Sequence, residues 1–153
     1  MANQSVAAVK HVKTENVVTA RDIMERAATA ATPSASLRDV AGQLVGNQFS
    51  GMPVASRDGK VVGVITESDI VRALIQGKRL ENLTAADAMT SPAVTVDVDT
   101  PIEDVMKKLV DNRIVRVPVT SHDKLTGIIS RRDIIRAMLE PEFVVFGGFP
   151  TRW

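Results

Sequence analysis

Two octapeptides decide the fold: Gly63-Val64-Ile65-Thr66-Glu67-Ser68-Asp69-Ile70 and Gly127-Ile128-Ile129-Ser130-Arg131-Arg132-Asp133-Ile134. In each, a glycine and an apolar pair that read as buried strand run directly into a hydroxyl with a carboxylate three residues on, the signature of a helix start. Each octapeptide therefore reads as a strand that turns straight into a helix. The correspondence continues outward on both sides. Arg72 and Ala73 meet Arg136 and Ala137, and upstream of a one-residue deletion near Gly59 the set Pro53, Val54, Ser56 and Asp58 meets Pro118, Val119, Ser121 and Asp123. Further back, Asp39, Val40, Leu44, Val45 and Asn47 match Asp104, Val105, Leu109, Val110 and Asn112, and Thr19, Ala20, Asp22 and Met24 match Thr84, Ala85, Asp87 and Met89. The chain is one unit written twice.

The two copies share one order of periodicities. Leu37, Val40, Ala41, Leu44 and Val45 recur at helical spacing, as do Ile102, Val105, Met106, Leu109 and Val110. A short strand follows each helix (52–56 and 117–121), then a turn (Arg57-Asp58-Gly59 or His122-Asp123-Lys124) and a second strand (61–66 and 125–130), which together predict a hairpin. Helices are expected over 67–76 and 131–139, and a short strand around 28–32 and 93–98 precedes the first helix of each copy. The fold class is α+β, with each copy reading β-α-β-β-α. The expected segments are an N-terminal arm 1–18, a first repeat 19–80, a linker 81–83, a second repeat 84–140 and a C-terminal tail 141–153.

Six helix starts carry Ser or Thr with Asp or Glu three residues on: Thr19/Asp22, Ser36/Asp39, Thr66/Asp69, Thr84/Asp87, Thr100/Glu103 and Ser130/Asp133, with Pro101 expected at the first helical position of the fifth. A helix cap is the plain reading of any such pair. Thr66/Asp69 and Ser130/Asp133 differ in following a Gly-apolar-apolar strand. There the helix N-terminus suits a phosphate, the glycine leaves room for close approach, and the Asp suits ribose hydroxyls. Capping and nucleotide binding both remain open from these residues alone.

The doubled order resembles the cystathionine-β-synthase (CBS) domain family, in the two octapeptides, in Met52-Pro53-Val54 and Val117-Pro118-Val119 upstream, and in the openings Asp22-Ile23-Met24 and Asp87-Ala88-Met89. The resemblance spans about residues 19–140. It implies a tandem pair packed about a pseudo-twofold axis, commonly dimeric, that binds adenosine-containing ligands in clefts between the repeats. Carried over, one site joins Thr66 and Asp69 to Thr95, Val96, Arg116, Val117 and Pro118; the other joins Ser130, Arg132 and Asp133 to Ala31, Gly51, Met52 and Pro53. Asp69 and Asp133 would hold ribose, and Thr66 and Ser130 the phosphates or ribose edge. Arg116, Arg131 and Arg132 would meet phosphate, and Val117 and Met52 would bracket the base by main-chain and apolar contact. Local charges rank the two sites only weakly, with a slight preference for Ser130/Asp133. The implied function is a regulatory module sensing AMP, ADP, ATP, S-adenosylmethionine or NAD, with no cofactor required, signalling to a partner and forming a homodimer. The alternative is a structural dimerisation module without a ligand.

Composition narrows the remaining classes. The 153 residues are 44% apolar and 24% charged, typical of a globular fold, and 19 basic against 18 acidic residues give a net charge of +1, which argues against nucleic-acid binding. There is no cysteine, and His11 and His122 lack metal-ligand spacing, so neither a disulfide, a metal site nor a catalytic constellation is expected and the chain reads as a non-enzyme. No membrane span or signal sequence is read, and a cytoplasmic location is the expectation. Aromatics comprise four Phe, one Trp and no Tyr, and four of the five (Phe143, Phe146, Phe149 and Trp153) lie in the last eleven residues. A base would therefore be held by aliphatic and main-chain groups, while the tail is expected to pack on the module, on a dimer mate or on a partner.

Overall fold

The computed structural model describes residues 18–26 and 28–145, with only the helical backbone described over 140–145. The N-terminal arm up to residue 17 and, of the tail aromatics, Phe146, Phe149 and Trp153 lie outside the described residues. The elements, in chain order, are α1 (Ala20–Ile23), α2 (Leu37–Asn47), β1 (Gly51–Ala55), β2 (Val61–Thr66), α3 (Glu67–Ile75), a 3₁₀ turn (Leu80–Asn82), α4 (Ala85–Ala88), β3 (Val96–Asp97), α5 (Ile102–Asp111), β4 (Arg116–Ser121), β5 (Lys124–Ser130) and α6 (Arg131–Val145). No helix among the described residues is long and apolar enough to cross a membrane.

Both expected hairpins form. Gly51 pairs with Thr66 and Val54 with Gly63 in the first; Arg116 pairs with Ser130 and Val119 with Gly127 in the second. The turns differ by one residue. His122 (φ 52°) and Asp123 (φ 65°) form a two-residue connection with both residues left-handed, whereas the longer first turn puts Gly59 at φ 87°. The hairpin tips meet, Leu125 N–H donating to the Gly59 carbonyl at 2.9 Å.

Three boundaries depart from expectation. In the second copy β3 lies parallel to β4, but the strand expected around 28–32 shrinks to one bridge between Ala31 and Val54. Val98 N–H extends the second ladder by donating to Thr120, and the residue matching it in the first copy is Pro33, which has no N–H to give. Pro101 is the N-cap of α5 rather than its first residue; its ψ of 144° is extended, and Thr100 Oγ1 accepts from Asp97 N–H at 3.0 Å in the preceding turn. The Thr100/Glu103 pair is therefore no capping box. Finally, α6 continues past 139 to Val145, passing Pro141, whose fixed φ is compatible with a helix at the cost of one backbone hydrogen bond.

The two cores do not follow the two sequence repeats. Leu37, Val40, Leu44, Met52, Val54, Ile65, Ile70 and Ala73 of the first copy bury Ala85 from the opening of the second. Val96, Val105, Leu109, Val117, Val119, Ile129 and Ile134 of the second copy bury Ala20 and Met24 from the opening of the first. The openings are exchanged, and matched backbone bonds hold them. Ala20 N–H donates to Thr100 and Ala85 N–H to Ala35; Arg21 N–H donates to Val98 and Ala86 N–H to Pro33; Glu25 exchanges two bonds with Ile128, and Thr90 two with Val64. The exchange explains the motif glycines. A Cβ on Gly63 would stand 2.5 Å from Met89 Sδ, and one on Gly127 would stand 2.7 Å from Met24 Sδ and 2.8 Å from the Glu25 carbonyl. The space beside each glycine is filled by the methionine of the other copy's opening, which corrects the expectation that it admits a ligand.

Candidate ligand cleft between the repeats

Each octapeptide closes into a cap. Thr66 N–H donates to Asp69 Oδ2 at 2.8 Å and Thr66 Oγ1 to the same oxygen at 3.1 Å, while Arg72 reaches Asp69 Oδ1 at 3.0 Å. In the second copy Ser130 N–H donates to Asp133 Oδ2 at 2.8 Å, Asp133 N–H donates to Ser130 Oγ at 3.1 Å, and Arg136 lies 3.4 Å from Oδ1. The helices' first N–H groups are also engaged, Glu67 with the Ser50 carbonyl and Arg131 with that of Val115. Both carboxylates thus serve as intrahelical acceptors, and the Asp69 side chain is only 5% exposed. Further acceptance by Asp69 requires Arg72 to yield or share Oδ1, since a carboxylate has about four lone-pair directions.

A cleft of about 350 Å³ opens between the repeats, within the size range of small-molecule sites. From the first copy its wall takes Gly51, Met52, Pro53, Thr66, Glu67 and Ser68. From the second it takes Pro92, Ala93 and Val94, the segment Arg113–Arg116, Pro118 and Ile128. It therefore combines Thr66, Arg116 and Pro118 of one anticipated site with Gly51, Met52 and Pro53 of the other. The reason is the hairpin register: Gly51 faces Thr66 across β1 and β2, so the strand around Pro53 belongs beside the hydroxyl of its own repeat.

The remaining anticipated residues lie outside this wall. Asp69 is behind Thr66 in the cap, Thr95 accepts from Lys108 Nζ through its carbonyl, and Ala31 bridges to Val54. Val96 and Val117 are buried in the second core and off the wall, so an apolar bracket of a base by the Val117 side chain is corrected, whereas Met52, nearly fully buried in the first core, keeps its place on the wall. Ser130 is buried opposite Arg116, Asp133 is half-buried, and Arg131 and Arg132 are exposed and do not line the cleft. The slight preference for the Ser130/Asp133 side is thus not matched by the described cleft, which opens on the Thr66 side.

Two residues that carry no motif matter here, Arg113 on the cleft wall and Phe49 behind it. Arg113, at φ 52°, occupies the left-handed position that closes α5, matching Gln48 at φ 56° after α2. Its counterpart status was visible from the 65-residue offset, but nothing in its residue type signalled a turn. Phe49, the next residue after Gln48, carries the Arg116 guanidinium 4.7 Å from its ring centroid. Arg113 and Arg116 together outweigh Glu67 on the wall, so the cleft has an excess of positive charge. Among the described residues no ion pair involves either arginine.

The doubled fold and this site define a tandem-repeat module with a cleft between its halves. The model of the CBS domain matches residues 9–76 and 85–140, and the chain belongs to that family. It is 28% identical over 131 residues to Hypoxic response protein 1 of Mycobacterium tuberculosis, covering 85% of this chain and 92% of that protein. Its structure resembles the CBS domain pair of protein MJ0100 in complex with 5'-methylthioadenosine and S-adenosyl-L-methionine, with a TM-score of 0.72, 29% identity and coverage of 80% of this chain and 96% of that one. It also resembles CBSX2, a protein of Arabidopsis thaliana, in complex with AMP, with a TM-score of 0.71, 28% identity and coverage of 81% and 98%. The chain spans 65% of a Methanopyrus kandleri relative and 23% of a Methanocaldococcus jannaschii relative named L-aspartate semialdehyde sulfurtransferase.

Proposed function

We propose that the cleft binds a phosphorylated adenosine, AMP being the simplest, and that the module reports its occupancy to a partner protein. The observation that carries this is that Arg113 and Arg116 of the second repeat and Thr66 of the first line one otherwise largely apolar cleft between the repeats. A guanidinium gives forked donors to phosphate, while Pro53, Val64, Pro92, Ile114 and Pro118 supply aliphatic surface for a purine. The adenosyl ligands of MJ0100 and CBSX2 support the same ligand class. A signalling role requires the ligand to bind two states of the module unequally.

Thermal unfolding with AMP, ADP, ATP, S-adenosylmethionine and NAD tests this. Ligand at one hundred times its Kd contributes about 2.7 kcal/mol, a rise of roughly 5–10 °C for a chain of this size. No stabilisation by any of the five at millimolar concentration overturns the reading. The second reading, a module that only dimerises, is favoured by one observation: both Asp carboxylates already serve as caps.

We also infer a homodimer. Val45, Val71, Leu74 and Ile75 are exposed, and so are their counterparts Val110, Ile135, Met138 and Leu139, so one apolar helix surface is presented twice about the pseudo-twofold axis. Such a doubled patch suits a symmetric partner of the same kind.

A further inference from the structure

We propose that Phe49 is a positioning residue for anion recognition in the cleft, holding the Arg116 guanidinium so that its edge donors meet the phosphate. This rests on the nucleotide reading above and adds a residue and a cause of selectivity to it. The ring is half-buried and packs against the first core, while its other side borders a shallow second cleft that Val45 and Val71 also line. The Phe49 backbone N–H donates to the Leu44 carbonyl at 3.0 Å, immediately after left-handed Gln48 turns the chain out of α2. Phe49 comes from the first repeat and Arg116 from the second, so the contact crosses the repeat interface on which the cleft stands. A guanidinium stacked on a ring uses its face and keeps its N–H edges free, so stacking orients the arginine without competing for the phosphate. Fixing a long side chain beforehand removes an ordering cost that binding would otherwise carry.

The pair exists once. The residues matching Phe49 and Arg116 in the other copy are Ile114 and Gly51, and a Cβ on Gly51 would lie 2.8 Å from the Ile65 carbonyl, so that position tolerates no side chain without a backbone shift. The anion-selective station therefore belongs to one side of an otherwise doubled module, and it uses the single aromatic of the repeat bodies.

Calorimetric titration of the full chain with AMP, adenosine and inorganic pyrophosphate, for the wild type, Phe49→Leu and Phe49→Tyr, tests the proposal. Phe49→Leu is expected to weaken AMP and pyrophosphate about three- to tenfold, with adenosine changed less than twofold and Phe49→Tyr restoring the wild-type values. In an Arg116→Met background, Phe49→Leu should change AMP affinity less than twofold, because the platform then has nothing to position. Phe49→Met serves the same comparison if Phe49→Leu fails to fold. Equal losses for AMP and adenosine, or no loss for either, overturn the proposal. Pyrophosphate binding that depends on Phe49 in a protein blind to AMP would refute the nucleotide reading and retain this one; a wild type that binds neither AMP nor pyrophosphate refutes both.

Discussion

Substituting Gly63 by Ala probes the exchange of openings between the repeats. The new methyl carbon would stand 2.5 Å from Met89 Sδ, 2.9 Å from Met89 Cγ and 3.0 Å from the Thr90 carbonyl. The sulfur is the end of a flexible chain and can retreat, but Thr90 is held by two backbone bonds with Val64, at 2.9 and 3.1 Å, and resists. Overpacking of this kind costs about 1–3 kcal/mol, and the stiffer unfolded chain of an alanine returns roughly 0.4–1 kcal/mol. The net expectation is a loss of about 1.5 kcal/mol, or about 3–6 °C in melting temperature. Met89→Ala alone should also destabilise, by leaving a void against the first core. The double variant should be more stable than the sum of the two losses by about 1 kcal/mol, because each change relieves the other. Denaturant unfolding of the four proteins measures that coupling. Additive losses, or a Gly63→Ala variant as stable as the wild type, would refute the claim that Met89 of one repeat fills the glycine notch of the other.

Other outcomes follow from the caps, the charges and the exposed helices. Asp69→Ala and Asp133→Ala should each lower stability by about 1–2 kcal/mol through loss of the capping acceptor. Measured by urea unfolding and AMP titration, Asp69→Ala should also weaken the nucleotide; loss of stability alone would leave that residue only a cap. The Asp87 carboxyl is held below the ordinary aspartate range, first by the Thr84 backbone N–H and then by its side chain. Its contribution to stability is therefore present above the ordinary aspartate pKa and is lost as the pH falls through the depressed folded value. Asp87→Asn should remove that part of the acid slope, so a wild-type slope retained in the variant would contradict it. Ile75→Glu with Ile135→Glu, which charges both copies of the exposed helix surface, should convert a dimer to monomers in sedimentation at unchanged AMP affinity; a monomeric wild type would remove the dimer.

The element order was readable because each copy repeats its own punctuation. The helical spacing from Leu37 to Val45 and from Ile102 to Val110, and the strands flanking Gly59 and Asp123, all depend on neighbours in sequence. The exchange of openings was not readable. Identical repeats offer identical docking surfaces, so Ala20 fits either core by composition, and only the chain's path decides between them. The split of the cleft failed for a related reason: Gly51 and Thr66 face each other through hairpin register, and that contact competes with the cross-repeat assignment. Pro33 illustrates the reverse case, a residue whose missing N–H foretells the lost strand once its partner Val98 is known. The contact between Phe49 and Arg116 was not readable either, because stacking between residues distant in sequence leaves no periodic trace.

The most direct measurement is a calorimetric titration of the wild type and Arg116→Met with AMP. Binding in the described cleft predicts saturable heat with one AMP per chain in the wild type, and a loss of about tenfold or more in the variant, the usual scale for removing a hydrogen bond to a charged group. An AMP affinity unchanged by Arg116→Met, or no binding heat from the wild type, would contradict it.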